Sequence, residues 1–178
     1  MTHAISASAV TREMTNYLRK HPSEEGKLRP LYDALSDHSR RGLCPHGGRC
    51  PEIVSGALLL NEHGHVLLLR NSIAGGWAFA EGAPEPGDLS LRDTAYALLM
   101  EYGGVQEAWA LPGAEGPVIV DVSTGPRRVR FGFRYLFVTQ NSSVSSAVLD
   151  SGLARWVTLD RIADHIATRI RDHAAVPL

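Results

Sequence analysis

Apolar residues recur at helical spacing in two places near the start of the chain: Val10, Met14, Tyr17 and Leu18, then Leu28, Leu31, Tyr32 and Leu35. Positions three and four apart share one face of a helix, so the pattern predicts two amphipathic helices separated by His21-Pro22-Ser23. A stretch rich in Gly and Pro, 42–51, divides this arm from the rest of the chain. After Glu52 the texture changes. The apolar run 53–60, the turn Asn61-Glu62-His63-Gly64 and the run 66–69 predict a hairpin of two buried strands. A short strand over 77–80, a loop over 84–87 and a helix carrying Leu91, Ala95, Leu98, Leu99 and Tyr102 on its apolar stripe come next, the helix stopping at Gly103-Gly104. Strands around Ala108, at 118–120 and at 129–138, a polar and mobile loop at 141–146, a strand at 155–157 and a helix with Leu159, Ile162, Ile166 and Ile170 complete the order. The result is a mixed-sheet α/β chain, with a helical arm and connector over 1–52 and one domain over 53–178.

Composition narrows what such a domain can do. With 178 residues, 44% apolar and 21% charged, the chain can build one real core and little more. A net charge of -1 gives the whole molecule no field to hold a nucleic-acid backbone, so any anion site must be local. Its apolar runs fall well short of the roughly 20 residues of a membrane span, and Met1-Thr2-His3-Ala4 lacks the basic-then-apolar order of a signal peptide. A cytosolic protein is expected. Cys44 and Cys50 then argue against a disulfide framework. Together with His38 and His46 they offer four ligands for a structural zinc, although the spacing is not that of a standard finger; the alternative is a connector with incidental thiols.

The stretch 53–105 resembles the Nudix hydrolase superfamily: a hairpin, a Trp-containing strand, a Gly-x5-acid loop, a helix, and Gly at its end. The Tyr135-Leu136-Phe137 strand and the segment from Arg155-Trp156-Val157 to Leu159-Asp160 are similar to the family's closing elements. The resemblance implies a Nudix fold, a mixed sheet sandwiched between helices, with the arm added in front. In working members the box reads Gly-x5-Glu-x7-Arg-Glu-U-x-Glu-Glu-x-Gly-U, with U aliphatic, and its glutamates hold divalent cations that neutralise a pyrophosphate and help generate the attacking hydroxide. Here Gly82 and Asp88 match the opening, with Glu85 and Gly87 between them. The helix then departs from the pattern. Without a gap the acidic core falls on Tyr96 to Glu101; with one inserted residue it falls on Ala97 to Tyr102, which places Leu99 on the aliphatic position and Gly104-Val105 on the closing Gly-U. The inserted register is preferred, and in either one only Glu101 survives, while Leu98 and Met100 put apolar atoms where charge should be. One carboxylate leaves magnesium mostly hydrated and weakly held. The resemblance, so degraded, implies no required cofactor or a weakly bound Mg or Mn on Glu101 and Asp88.

The Pro-Gly-Gly that usually precedes the box reads Ala80-Glu81-Gly82 here. Glu81 is then either a new acid/base or metal ligand in the inherited cleft or a solvated loop carboxylate. Arg128, Arg130 and Arg134 alternate with Val129, Phe131, Phe133 and Tyr135, so three guanidiniums share one strand face. They suit an anion clamp, because the planar fork makes paired bonds to phosphate or carboxylate; the competing reading is a solvent-facing strand edge. Trp77 and Phe79 could stack on a flat ligand or belong to the core. Asp150 stands near the place where many Nudix enzymes carry an acidic base, and reads equally as a loop acid. The expectation is a Nudix-fold protein that takes a small anionic, nucleotide-like metabolite on Arg130, Arg134, Trp77 and Phe79. Glu81, Glu85, Glu101 and Asp150 are its candidate acid/base groups, standard hydrolysis is weak or lost, no nucleic acid or membrane is bound, and a homodimer is allowed. The alternative is a metal-dependent hydrolase of a nucleoside diphosphate linked to another group.

Overall fold

The computed structural model describes residues 5–41, 51–71, 75–124 and 129–174, with the backbone alone for 37–41. The first helix, α1 (Ala7–Lys20), starts at Ser6, whose Oγ accepts the Ala9 N–H at 3.2 Å and so satisfies one of the unpaired donors at a helix start. A single 3-10 turn, Pro22–Glu24, leads into α2 (Glu25–Arg41). Val10, Met14, Tyr17, Leu28, Leu31 and Leu35 are buried as their spacing predicts, whereas Tyr32 leaves the stripe and is 56% exposed.

Eight strands form one sheet: β1 (Glu52–Leu60), β2 (Val66–Arg70), β3 (Trp77–Ala78), β4 (Ala80–Gly82), β5 (Trp109–Ala110), β6 (Ile119–Thr124), β7 (Val129–Val138) and β8 (Ala154–Val157). At its centre β1 and β7 run parallel, in register from Glu52 opposite Arg130 to Leu60 opposite Val138, and the other pairings are antiparallel. The predicted strand over 77–80 is in fact two. β1 meets β2 only at the hairpin end, Leu60 opposite Val66, which leaves its middle free; the chain therefore pairs β3 with β2, turns at Phe79, and pairs β4 with β1.

Three helices come after the first four strands: α3 (Leu91–Gly103), α4 (Ser146–Asp150) and α5 (Asp164–Ala174). The segment predicted as a loose polar loop is ordered. A 3-10 turn, Asn141–Ser143, is succeeded by buried Val144 bridging to Val105, while Gln106 N–H donates to Ser143 O at 2.7 Å and Ser145 N–H to Gly104 O at 2.8 Å. One apolar residue and two backbone bonds outweigh its polarity. Leu159 likewise sits in a separate 3-10 turn, Leu159–Arg161, ahead of α5.

Side chains alternate across each strand, so the sheet has two different faces. One carries Ala57, Leu59, Phe131, Phe133, Tyr135 and Phe137 into a single cluster with residues of α1, α2 and α3. The arm thus shares its core with the domain behind it. The other face carries Leu58, Leu60, Ile119, Leu136 and Val138 against Ile166 and Ile170 of α5. Glu24 joins the two helical layers: it accepts the Tyr17 hydroxyl at 2.8 Å and pairs with Lys27 and with Arg169 of α5. No helix among the described residues is long and apolar enough to cross a membrane.

Candidate functional site

Two groups of chemistry-bearing residues lie on opposite sides of β1. The first surrounds α3. Ser90 caps that helix, accepting Asp93 N–H at 3.1 Å, and the buried Ser55 hydroxyl of β1 donates to Leu91 O and pins the helix start to the sheet. Asp88 braces the preceding loop: its Oδ2 accepts Glu85 N–H at 2.8 Å and the Thr94 hydroxyl at 2.6 Å. At the far end Gly104 adopts φ 60°, where a Cβ would lie 2.6 Å from Val148 Cγ2, so both conformation and space require glycine. Glu101 and Tyr102 are exposed there. The Tyr102 hydroxyl is held above its ordinary pKa first by its hydrogen bond to Glu101 and then by the charges of Glu101 and, more weakly, Glu85. Glu85 and Glu101 therefore act on one spot.

The second group lies on the opposite face, built by strand register. Glu81 stands opposite Gly56, and Gly56 opposite Arg134, which puts the two charged side chains on either side of a bare backbone. A Cβ on Gly56 would be 3.2 Å from Glu81 Cβ and 3.5 Å from Arg134 Cγ. The absence of that carbon lets the side chains lean together. Glu81 Oε1 accepts Arg130 Nη2 at 3.2 Å and Oε2 accepts Arg134 Nη2 at 3.3 Å, while Arg134 also pairs with Asp121 of β6. Arg134 is 16% exposed, Glu81 28% and Arg130 37%. The guanidinium of Arg134 lies 5.9 Å from the centre of the Phe79 ring. Further along the sheet Arg155 stacks on Trp77 at 4.1 Å. The face of Trp77 is therefore already in use.

Of the residues singled out from the sequence, Arg130, Arg134, Glu81 and Phe79 come together, whereas Glu101 lies on α3 with its neighbour Tyr102 and Glu85 in the loop that Asp88 braces. Asp150 ends α4, exposed and apart from both. Arg128, Cys44, His46 and Cys50 lie outside the described residues, as does the side chain of His38. Two residues were missed. Asp121 alternates with buried Val120 and half-buried Val122, a pattern that already set it on the other face from them. Glu13 lies three residues from Val10 and four from Tyr17, on the flank of the buried stripe of α1, where its carboxyl acts on the buried Tyr135 hydroxyl. Burial raises the Glu13 carboxyl above its ordinary value, against the opposing effects of Tyr135, Arg12 and Arg92. Tyr135 is raised in turn, by burial first and then by Glu13.

No protein-family profile matches the chain, and no curated protein matches it. Solved structures do. The Ap4A hydrolase of C. elegans superposes with a TM-score of 0.55 at 16% identity, over 70% of this chain and 97% of that one. A NUDIX family hydrolase from Clostridium perfringens gives 0.53 at 14% identity, over 70% and 97%. NrtR of Shewanella oneidensis, complexed with a 27mer DNA, gives 0.54 at 16% identity, over 67% of this chain and 60% of that one. The chain has the Nudix fold. It spans about three fifths of the NrtR chain's length and nearly all of the two hydrolases.

In this fold α3 is the helix that the sequence resemblance reads as the box. Leu99 is fully buried and Gly104 is the left-handed cap that ends the helix. Leu98 lies against Gly82, where a Cβ would be 3.2 Å from its Cδ2, and both Leu98 and Met100 are half-buried on the core. Among the described residues no three His, Cys, Asp or Glu side chains converge as a metal site would require.

Proposed function

We propose that this cytosolic Nudix-fold protein binds a small organic anion through Arg130 and Arg134, and does not work as a magnesium-dependent pyrophosphohydrolase. The observation that carries this reading is the gathering of the two guanidiniums around Glu81, both of them partly covered and each with a buried Nε that has no hydrogen-bond partner among the described residues. An unmade bond on a covered donor is costly, and an oxyanion is the group that relieves it. The box side supports the same conclusion from the other direction. Asp88 is engaged by Glu85 N–H and Thr94, Leu98 stands against Gly82, and Glu101 is left with Glu85 at an exposed helix end. That donor set does not fit an octahedral magnesium ion, which wants several hard oxygens in a fixed geometry.

The charges of Glu85 and Glu101, both of which act on Tyr102, favour a second reading, hydrolysis of a nucleoside polyphosphate by a metal held by them and the substrate. One of the fold's neighbours is an Ap4A hydrolase. A thermal-shift series with millimolar magnesium and manganese, run beside a hydrolysis screen that includes Ap4A, separates the two. The proposal expects no metal-induced rise in melting temperature and no turnover. A rise that disappears in Glu101→Ala, accompanied by turnover, would establish the second reading. For the anion itself, calorimetry of small phosphates and carboxylates should show Arg134→Ala binding about tenfold to a hundredfold more weakly than the wild type, the cost of one charge-assisted pair.

A further inference from the structure

The arginine site already holds an anion, and it belongs to the protein. Each Glu81 oxygen reaches one guanidinium, at 3.2 and 3.3 Å. Strong N–H to carboxylate bonds are shorter, roughly 2.7–2.9 Å. Arg130 Nε and Arg134 Nε have no hydrogen-bond partner among the described residues. One carboxylate, with an oxygen on each side, is thus serving two forks and fills only one tine of each.

We infer that Glu81 is a displaceable internal occupant of this site, and that a phosphoryl group, with three terminal oxygens, takes its place on Arg130 and Arg134. The inference rests on the anion-binding reading above. Three features argue for exchange. The Glu81 bonds are long and its side chain is within reach of water, so it can swing out and be hydrated. Charge then changes in the right direction: the two arginines are balanced by Glu81 and Asp121 at rest, and departure of Glu81 leaves the site with one net positive charge. Asp121 stays on Arg134 and keeps it oriented. Finally, the bare backbone of Gly56 between Glu81 and Arg134 leaves room that any other residue would fill. A phosphoryl group brings three acceptor oxygens and more negative charge to the four Nε and Nη2 donors of the two arginines, against the two oxygens of a carboxylate.

The test uses inorganic phosphate, with acetate as the two-oxygen comparison, titrated into the full chain while the arginine Nε–H resonances are followed by NMR. Glu81→Gln removes the competing charge and keeps the size; Glu81→Asp keeps the charge on a side chain too short to span both arginines. Phosphate should bind Glu81→Gln about tenfold more tightly than wild type, a difference of about 1.4 kcal/mol, with Glu81→Asp in between and a smaller gain for acetate. The Nε–H signals of Arg130 and Arg134 should move in all three proteins. If those signals move but Glu81→Gln binds no better than wild type, Glu81 is not a competitor and the inference fails while the anion site stands. If they move in none of the proteins, both fail. Equal gains for acetate and phosphate would overturn the phosphoryl assignment.

Discussion

The two faces of the central strands are made of neighbouring residues and have nothing else in common. On one, Phe131, Phe133 and Tyr135 are closed over by three helices in a continuous core. On the other, one residue away each time, Arg130 and Arg134 look onto Glu81 and Asp121 and remain partly in water on either side of buried Gly132, while α5 covers only the farther end of the same strands. The contrast locates where this fold can hold function. A face that buries aromatic rings against helices has little freedom to change, whereas a charged strand end that no helix among the described residues seals can exchange its partners.

The largest effect should come from truncating adjacent residues of β7. Phe133 is fully buried, and Phe133→Ala should cost about 3–5 kcal/mol, enough to unfold a domain of ordinary stability on mild heating. Arg134→Ala, one position on, should cost only about 1 kcal/mol, because its two partners are still reached by water. Urea unfolding of the two variants gives the ratio. Comparable losses would make the charged end part of the structural core and remove it as a binding site.

Much of this arrangement could be read from the sequence, for reasons that differ between elements. Period-2 alternation in β7 and the unbroken apolar run of β1 are strong signals, since one face or both must be buried, and the same alternation put Arg130 and Arg134 together. Pairing across strands left no such trace. Glu81 and Arg134 are 53 positions apart and meet only because β4 and β7 flank the same residue of β1. Without that register Glu81 was grouped with Glu85 and Glu101, its neighbours along the chain, although the sheet stands between them. Short elements failed for another reason: in the 3-10 turn Asn141–Ser143 and the residues joining it to α4, a few backbone bonds and one valine outweigh a polar composition, and propensity has no access to either.

A smaller effect tests the box helix. Leu98 contacts Gly82 and is half-buried on the closed face, so Leu98→Glu, which adds a carboxylate where the resemblance expects one, would push a charge into an apolar contact. A loss of about 1–3 kcal/mol is expected, with no added stability from millimolar magnesium. A variant that is as stable as wild type and gains several degrees with magnesium would show that the helix edge is an open cleft after all, and would shift attention from the arginines back to the box.

The smallest effect concerns an ionisable carboxylate built into the closed face, Glu13 of α1. Burial raises its carboxyl above the ordinary value, more than Tyr135, Arg12 and Arg92 lower it. A raised carboxylate binds its proton more tightly in the folded state than in the unfolded one. Its contribution to stability is therefore fully present below the ordinary carboxylate value, and is lost as pH rises through the raised folded value. At neutral pH the ionised group is a small net cost. Glu13→Gln removes the charge and keeps an acceptor for the Tyr135 hydroxyl, so its melting temperature should exceed that of wild type by roughly a degree at neutral pH. The difference should close near about pH 3, where Glu13 is protonated in both states. The opposite trend, a variant that falls further below wild type as pH rises, would mean that the ionised carboxylate is the better partner for Tyr135. The arm would then be held to the sheet by a charged bond, and the two faces would differ less than their packing suggests.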